Sequence, residues 1–315
     1  MRRAHDDRET HVTNPATTLF SGLSAFPLTP LTDDGVDERA FANLVGRLAV
    51  HGVDSITALG STGSYVYLTR EERAAVARRA VQHARDVPVI VGVGALRTQQ
   101  VLACVEDAQA AGAAGVLLAP VSYQPLSADE VLGLYADVDR AVSVPIVVYD
   151  NPRTTGFTFT DELYRAVAEL PNVAAIKIPG VPAAVDEAAA RVAHLRELLP
   201  EGVAIGVSGD PAAARGLAAG CDAWFSVIGG TLPEHALAIA QLAATGRHDD
   251  ALAFSERLQP IWELFEKHGS LRVTAAIAEY LGLVPPMSLP LPIRGLDDAA
   301  RAEVARVVEV LVLPA

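Results

Sequence analysis

Two stretches decide the fold: VPVIVGV (Val87–Val93), with its strand read over Val87–Val91, and VPIVVY (Val144–Tyr149). Each is a short unbroken run of β-branched residues, the pattern of a strand buried on both faces in a parallel sheet. Working outward, six further runs read as strands: Gly22–Leu28, Ser55–Leu59, Gly115–Ala119, Val173–Ile178, Val203–Val207 and Ala223–Val227. Ala-rich amphipathic segments lie between them. Thr69, followed by Glu71 and Glu72, and Ser127-Ala-Asp-Glu130 carry N-cap signals. In HGV, AGAAGV and AAGCDAW a glycine stands just after a helix and just before the next strand.

Eight consecutive strand–helix units predict an α/β chain folded as a (β/α)8 barrel, which typically takes about 250 residues. The alternative is a doubly wound open sheet, which usually carries a Gly-rich dinucleotide loop after its first strand. Here the first strand ends in FPLTPLTDDG, with no G-x-G-x-x-G. The barrel is therefore assigned to residues 19–240. Residues 1–18 read as a flexible polar tail, and 241–315 as a helical extension with helices over Ala251–His268, Leu271–Leu281 and Asp297–Leu311.

The 315 residues are 50% apolar and 20% charged, with mean hydropathy +0.27. That composition excludes bulk disorder, and no apolar stretch is long enough to span a bilayer. The first residues have no apolar run behind their charges, so a secretory signal is not expected. Only two cysteines, Cys104 and Cys221, are present, too few for a disulfide framework or a cysteine metal cage. A cytoplasmic protein is expected. The net charge of −13 argues against nucleic acid and anionic membrane as partners. The histidines are scattered, so no metal is expected.

Barrel enzymes carry their chemistry where strands end and the following loops begin. Of 25 basic residues only Lys177 and Lys267 are lysines. Lys177 stands near the end of the sixth strand between Ile176 and Ile178. Lost hydration there lowers the amine's pKa and frees neutral amine to attack a carbonyl. A lysine that snorkels to solvent or pairs with a carboxylate is the plainer alternative. Tyr149 ends the fifth strand, where its hydroxyl could carry protons or simply pack at the rim. Gly60-Ser61-Thr62-Gly63 ends the second strand, a turn whose N–H and hydroxyl groups could cradle a carboxylate. Ser208-Gly209-Asp210 ends the seventh strand, and Asp210 could equally cap the following helix. Ser226 lies in the eighth, ahead of Gly229 and Gly230. Nucleophile, proton carrier and carboxylate holder together form an inventory for imine chemistry.

These residues resemble the dihydrodipicolinate synthase / N-acetylneuraminate lyase family of class I aldolases. The match runs over residues 20–310 and rests on Gly60–Gly63, on Tyr149 with Asn151, Pro152 and Gly156, and on Lys177, Ser208–Asp210 and Ser226. The resemblance implies that Lys177 forms a Schiff base with a 2-oxo acid, usually pyruvate, without a cofactor. It also implies that Tyr149 shuttles the proton, with Ser61 and Thr62 holding the carboxylate and linking to Tyr149. Gly60, Gly63, Tyr123, Arg153, Thr154, Ser208, Gly209 and Ser226 are the further substrate-binding candidates. A homotetramer built as a dimer of dimers is implied too.

The chain departs from the family's pattern at three places. Ser64 stands where Glu is frequent, and PVSYQP (120–125) holds one tyrosine, Tyr123, where the family has a pair. After Tyr149 the family's synthases carry an arginine where this chain has Thr154, with Arg153 one position early. If that loop is extended, the one-residue shift turns Arg153 to the opposite face. The departures disfavour aspartate semialdehyde as second substrate and leave an aldolase, lyase or dehydratase acting on another 2-oxo acid. A true 4-hydroxy-tetrahydrodipicolinate synthase, a non-catalytic 2-oxo-acid-binding paralogue and a phosphate-binding barrel are the competing readings.

Overall fold

The first strand, Gly22–Ala25, pairs in parallel with the eighth, Ala223–Ser226, and also with the second, Ser55–Ala58. The remaining strands are Val89–Gly92, Gly115–Leu118, Ile146–Tyr149, Val173–Ile178 and Ala204–Val207. Each pairs with its neighbours in chain order, so the sheet closes on itself as an eight-stranded parallel barrel. This computed structural model describes residues 19–312. The tail expected over 1–18 lies outside the described residues. None of the described helices is long and apolar enough to cross a membrane.

Strand residues are buried almost throughout, as expected for a sheet covered by side chains inside and by helices outside. Both expected N-caps are present, each as a full capping box: Thr69 and Ser127 accept from the backbone N–H of Glu72 and Glu130, whose carboxylates reach back to the cap N–H. Gly52, Gly112 and Gly220 end their helices with positive φ.

Three local readings are corrected. The first strand stops at Ala25, because Pro27 and Pro30 lack the N–H a strand needs, and a small hairpin, Leu31–Thr32 with Gly35–Val36, follows. The segment expected as one helix over 251–268 is two, His248–Arg257 and Gln259–His268. Pro260 sits in the first turn of the second, where its missing N–H costs nothing. The loop after Tyr149 is a helical turn, Pro152–Thr155, ended by Gly156 at φ 69°.

The last helices, Ser270–Tyr280 and Asp298–Val312, pack beside the barrel. Arg301 and Glu279 tie the two together, and Lys267 of Gln259–His268 reaches Glu303 of the last helix at 2.8 Å. The Leu31 N–H donates to the Ser288 carbonyl at 2.9 Å, which fastens this layer to the chain leaving the first strand.

Candidate active site

At the end of the second strand Leu59 has φ 57°, a left-handed conformation that costs a non-glycine residue free energy. Its carbonyl is pressed against Gly92 of the third strand: a Cβ there would lie 1.9 Å from the Leu59 oxygen. The kink lays Gly60–Gly63 along the barrel mouth, with Thr62 buried and Ser61 half-buried. Gly92→Ala is expected to destabilise the protein by about 1–3 kcal/mol or more, as overpacking does. Thermal unfolding checks this, and an unchanged melting temperature would show that the contact yields.

Tyr149 and Lys177 are register partners across the fifth and sixth strands. Both are buried, and the Lys177 Nζ lies 4.3 Å from the Tyr149 ring centroid. The Tyr149 hydroxyl donates to Ser61 Oγ at 3.2 Å and accepts from Asn151 Nδ2 at 3.0 Å. Three strand ends therefore meet in one cluster of Ser61, Tyr149 and Lys177. Burial lowers the pKa of Lys177 from the ordinary lysine value, against the opposing pulls of Tyr149 and Asp210. Burial alone would raise Tyr149. The neighbouring Lys177 charge, with Ser61, Thr154 and Asn151, outweighs it and leaves the phenol below its usual value. The site thus holds an amine and a phenol that are both held below their ordinary values, an arrangement suited to proton transfer between them and a substrate.

Asn151 was not among the site residues expected from sequence, although its Asn-Pro step is a turn signal. Thr154 also faces Tyr149. The helical turn explains this: Thr154 and Thr155 N–H both donate to the Asn151 carbonyl, so successive side chains step by about 100° rather than alternating. The expectation of an extended loop is corrected accordingly. Arg153 is exposed and has no polar partner among the described residues. Tyr123 is 89% exposed and outside the cluster.

The seventh and eighth strand ends are occupied by their own backbone. Ser208 donates its hydroxyl to the Ile178 carbonyl at 2.8 Å, and Gly209, at φ 80°, turns the chain. Ser226 is fully buried, and its Oγ accepts from Gly229 N–H at 2.9 Å. Asp210 caps the turn after the eighth strand instead of its own helix. It accepts from Ile228 N–H at 2.7 Å, Trp224 Nε1 at 3.0 Å and Val227 N–H at 3.2 Å. Its burial pushes the carboxyl up to about 6. Those N–H groups are what a phosphate would need, so the phosphate-binding alternative loses its donors. Asp150, next to Tyr149, sends its N–H to the Lys177 carbonyl and accepts from the Tyr164 hydroxyl at 2.5 Å, which pins the tyrosine's strand end from outside the barrel.

Sequence reasoning also missed Phe26 and Phe225, whose rings lie 4.3 and 6.0 Å from the amine. The available signal was position: Phe26 directly follows the first strand and Phe225 belongs to the eighth. Among the described residues no group of three or more His, Cys, Asp or Glu could hold a metal ion.

The dihydrodipicolinate synthetase family description matches residues 19–311. The 4-hydroxy-tetrahydrodipicolinate synthase of Phenylobacterium zucineum is 31% identical over 288 residues, which is 91% of this chain and 95% of that protein. A solved dihydrodipicolinate synthase from Agrobacterium tumefaciens superimposes with TM-score 0.90 at 44% identity, covering 94% of this chain and 99% of that one. YagE, a prophage protein of the dihydrodipicolinic acid synthase family from E. coli K12 solved with pyruvate, is 25% identical. Its TM-score is 0.85, and 94% of this chain and all (100%) of that one are covered. Over 187 residues, 59% of each chain, it is 32% identical and is described as a putative 2-dehydro-3-deoxy-D-gluconate aldolase.

Proposed function

The chain belongs to the dihydrodipicolinate synthetase family and is a lyase of the aldolase kind, and from that premise we propose that Lys177 forms its Schiff base with pyruvate or another 2-oxo acid. One observation carries the reading: the buried Lys177 amine stands beside Tyr149, whose hydroxyl is bonded to Ser61 and Asn151. The neutral amine attacks the 2-oxo carbon, and Tyr149 carries protons to and from the substrate oxygens. Ser61 and Thr62, with the N–H groups of the Gly60–Gly63 turn, hold the carboxylate. The imine itself is the electron sink, so no metal or organic cofactor is called on. A non-catalytic paralogue has no need for a buried amine beside a phenol, both held below their ordinary pKa values.

For the second substrate we propose a hydroxylated or apolar group where a synthase would take a carboxylate. Thr154 faces Tyr149 with one neutral hydroxyl, whereas a bidentate arginine fork is charged and stronger. A sugar-derived 2-oxo acid fits, as the aldolase name given to YagE implies for that relative. The expected kcat/KM for aspartate semialdehyde with pyruvate falls below about 10⁴ M⁻¹s⁻¹, the floor of the ordinary enzyme range. At least one sugar-derived or aromatic 2-oxo acid should exceed that floor in the same assay. A value near 10⁵ M⁻¹s⁻¹ for aspartate semialdehyde would mean that Arg153 swings into the site and that this is a 4-hydroxy-tetrahydrodipicolinate synthase.

We further propose that the protein acts in the cytoplasm as a homotetramer, a dimer of dimers, with residues 19–240 as its barrel and 241–315 as an appended layer. Val66, Tyr67, Leu96 and Tyr123, all exposed on the loops after the second, third and fourth strands, support a partner subunit over that face. Sedimentation at a monomer's mass would remove this part of the proposal.

A further inference from the structure

Lys177 is met by three ring faces, and only one of them belongs to the proton carrier. Its Nζ lies 4.3 Å from the ring centroid of Phe26, 4.3 Å from that of Tyr149 and 6.0 Å from that of Phe225. The two phenyl rings are fully buried and meet edge to face, with centroids 6.1 Å apart and planes at 90°. This is one of the arrangements aromatic pairs prefer.

The backbone makes room for both rings. A Cβ on Gly60 would lie 2.6 Å from the Phe26 ring, and one on Gly206 would lie 2.2 Å from the Phe225 ring. Gly206 is itself the register partner of Lys177 across the sixth and seventh strands. Gly230 adds a third constraint, since its Cβ would fall 2.1 Å from the Phe26 carbonyl oxygen. Rings admitted at two side-chain-free backbone positions, both bordering one amine, form a built environment for that amine.

We propose that Phe26 and Phe225 take part in the reaction by holding positive charge at Lys177 against their faces, first on the ammonium and then on the protonated imine, with Phe26 carrying most of the effect. The inference rests on Lys177 being the imine-forming residue. In that step the nitrogen lone pair closes a bond to the 2-oxo carbon as the carbon–oxygen double bond breaks. Of the ammonium's three protons, two pass to the oxygen, which leaves as water, and one stays on nitrogen with the charge. The quadrupole of a ring face stabilises that charge at both ends of the step, whereas neutral amine and carbinolamine gain nothing. The titratable groups facing the amine are the Tyr149 hydroxyl and the Asp210 carboxyl. The rings add an uncharged, pH-independent pull in the same direction as those two.

A fluorinated phenylalanine series at position 26, with zero, one and three ring fluorines, keeps the ring's shape while draining its face of negative charge. The full-length protein is incubated with pyruvate and cyanoborohydride across pH, and the adduct on the Lys177 peptide is quantified by mass. The rate of adduct formation is followed in parallel. The pH midpoint of adduct formation should move down stepwise, by about 0.5–1 unit for the trifluoro ring. Above that midpoint, where a neutral amine gains positive charge as the imine forms, the maximal rate of adduct formation should fall about 3–10-fold, with unfolding temperature unchanged. The same series at position 225 should move the midpoint less, and Phe26→Leu should act in the direction of the trifluoro ring. A midpoint that stays put while the adduct still forms on Lys177 overturns this inference alone. No adduct on Lys177 in the unsubstituted protein overturns the Schiff-base reading as well.

Discussion

Lys177→Ala is expected to form no reducible adduct with pyruvate and to lose turnover by about 10⁴-fold or more, the scale seen when a covalent nucleophile is removed. In the parent protein, borohydride with pyruvate should add mass to the peptide carrying Lys177 and to no other. The assignment is a sharp one because the chain offers a single competitor. Lys267 is exposed, and its ammonium donates to both oxygens of Glu303, at 2.8 and 3.1 Å. Lys177→Arg should be as inactive as the alanine variant, since a guanidinium keeps its proton. Label on Lys267, or turnover that survives in Lys177→Ala, would end the imine reading.

Tyr149→Phe is expected to leave the fold intact and slow pyruvate methyl exchange by about 10²–10⁴-fold, the usual contribution of a positioned acid–base group. The phenyl ring of the variant still packs against Lys177, so adduct formation should persist at a reduced rate. What is lost is the hydroxyl that Ser61 and Asn151 bracket. Rapid exchange in a well-folded Tyr149→Phe protein would take the tyrosine out of the mechanism.

Much of this architecture was legible in the residues, for a physical reason. A strand buried on both faces has to be an unbroken apolar run, so Val89–Gly92 and Ile146–Tyr149 stood out within one or two residues of their ends. Lys177 stood out because an amine inside such a run needs an explanation. The helical turn after Tyr149 was also written in the sequence, with Pro152 at its first position and Gly156 just past its end. It was missed because four residues show no periodicity. The partners of Asp210 could not be read at all: Trp224, Val227 and Ile228 approach it only once the seventh and eighth strands lie side by side. Phe26 and Phe225 escaped because an apolar ring at a strand end reads as core, while an amine can also be served by the face of a ring.

Closure of the sheet through Gly22↔Ala223 and the three pairs beyond it has a consequence for the protein's birth. The first strand leaves the ribosome about 200 residues ahead of its partner, an interval of roughly 10–40 s at ordinary elongation rates. For that time the Gly22 edge has only the second strand to pair with, and its other row of N–H and C=O groups stays open to other chains. The four-residue length of the strand and the prolines that follow it keep that open edge short through the wait.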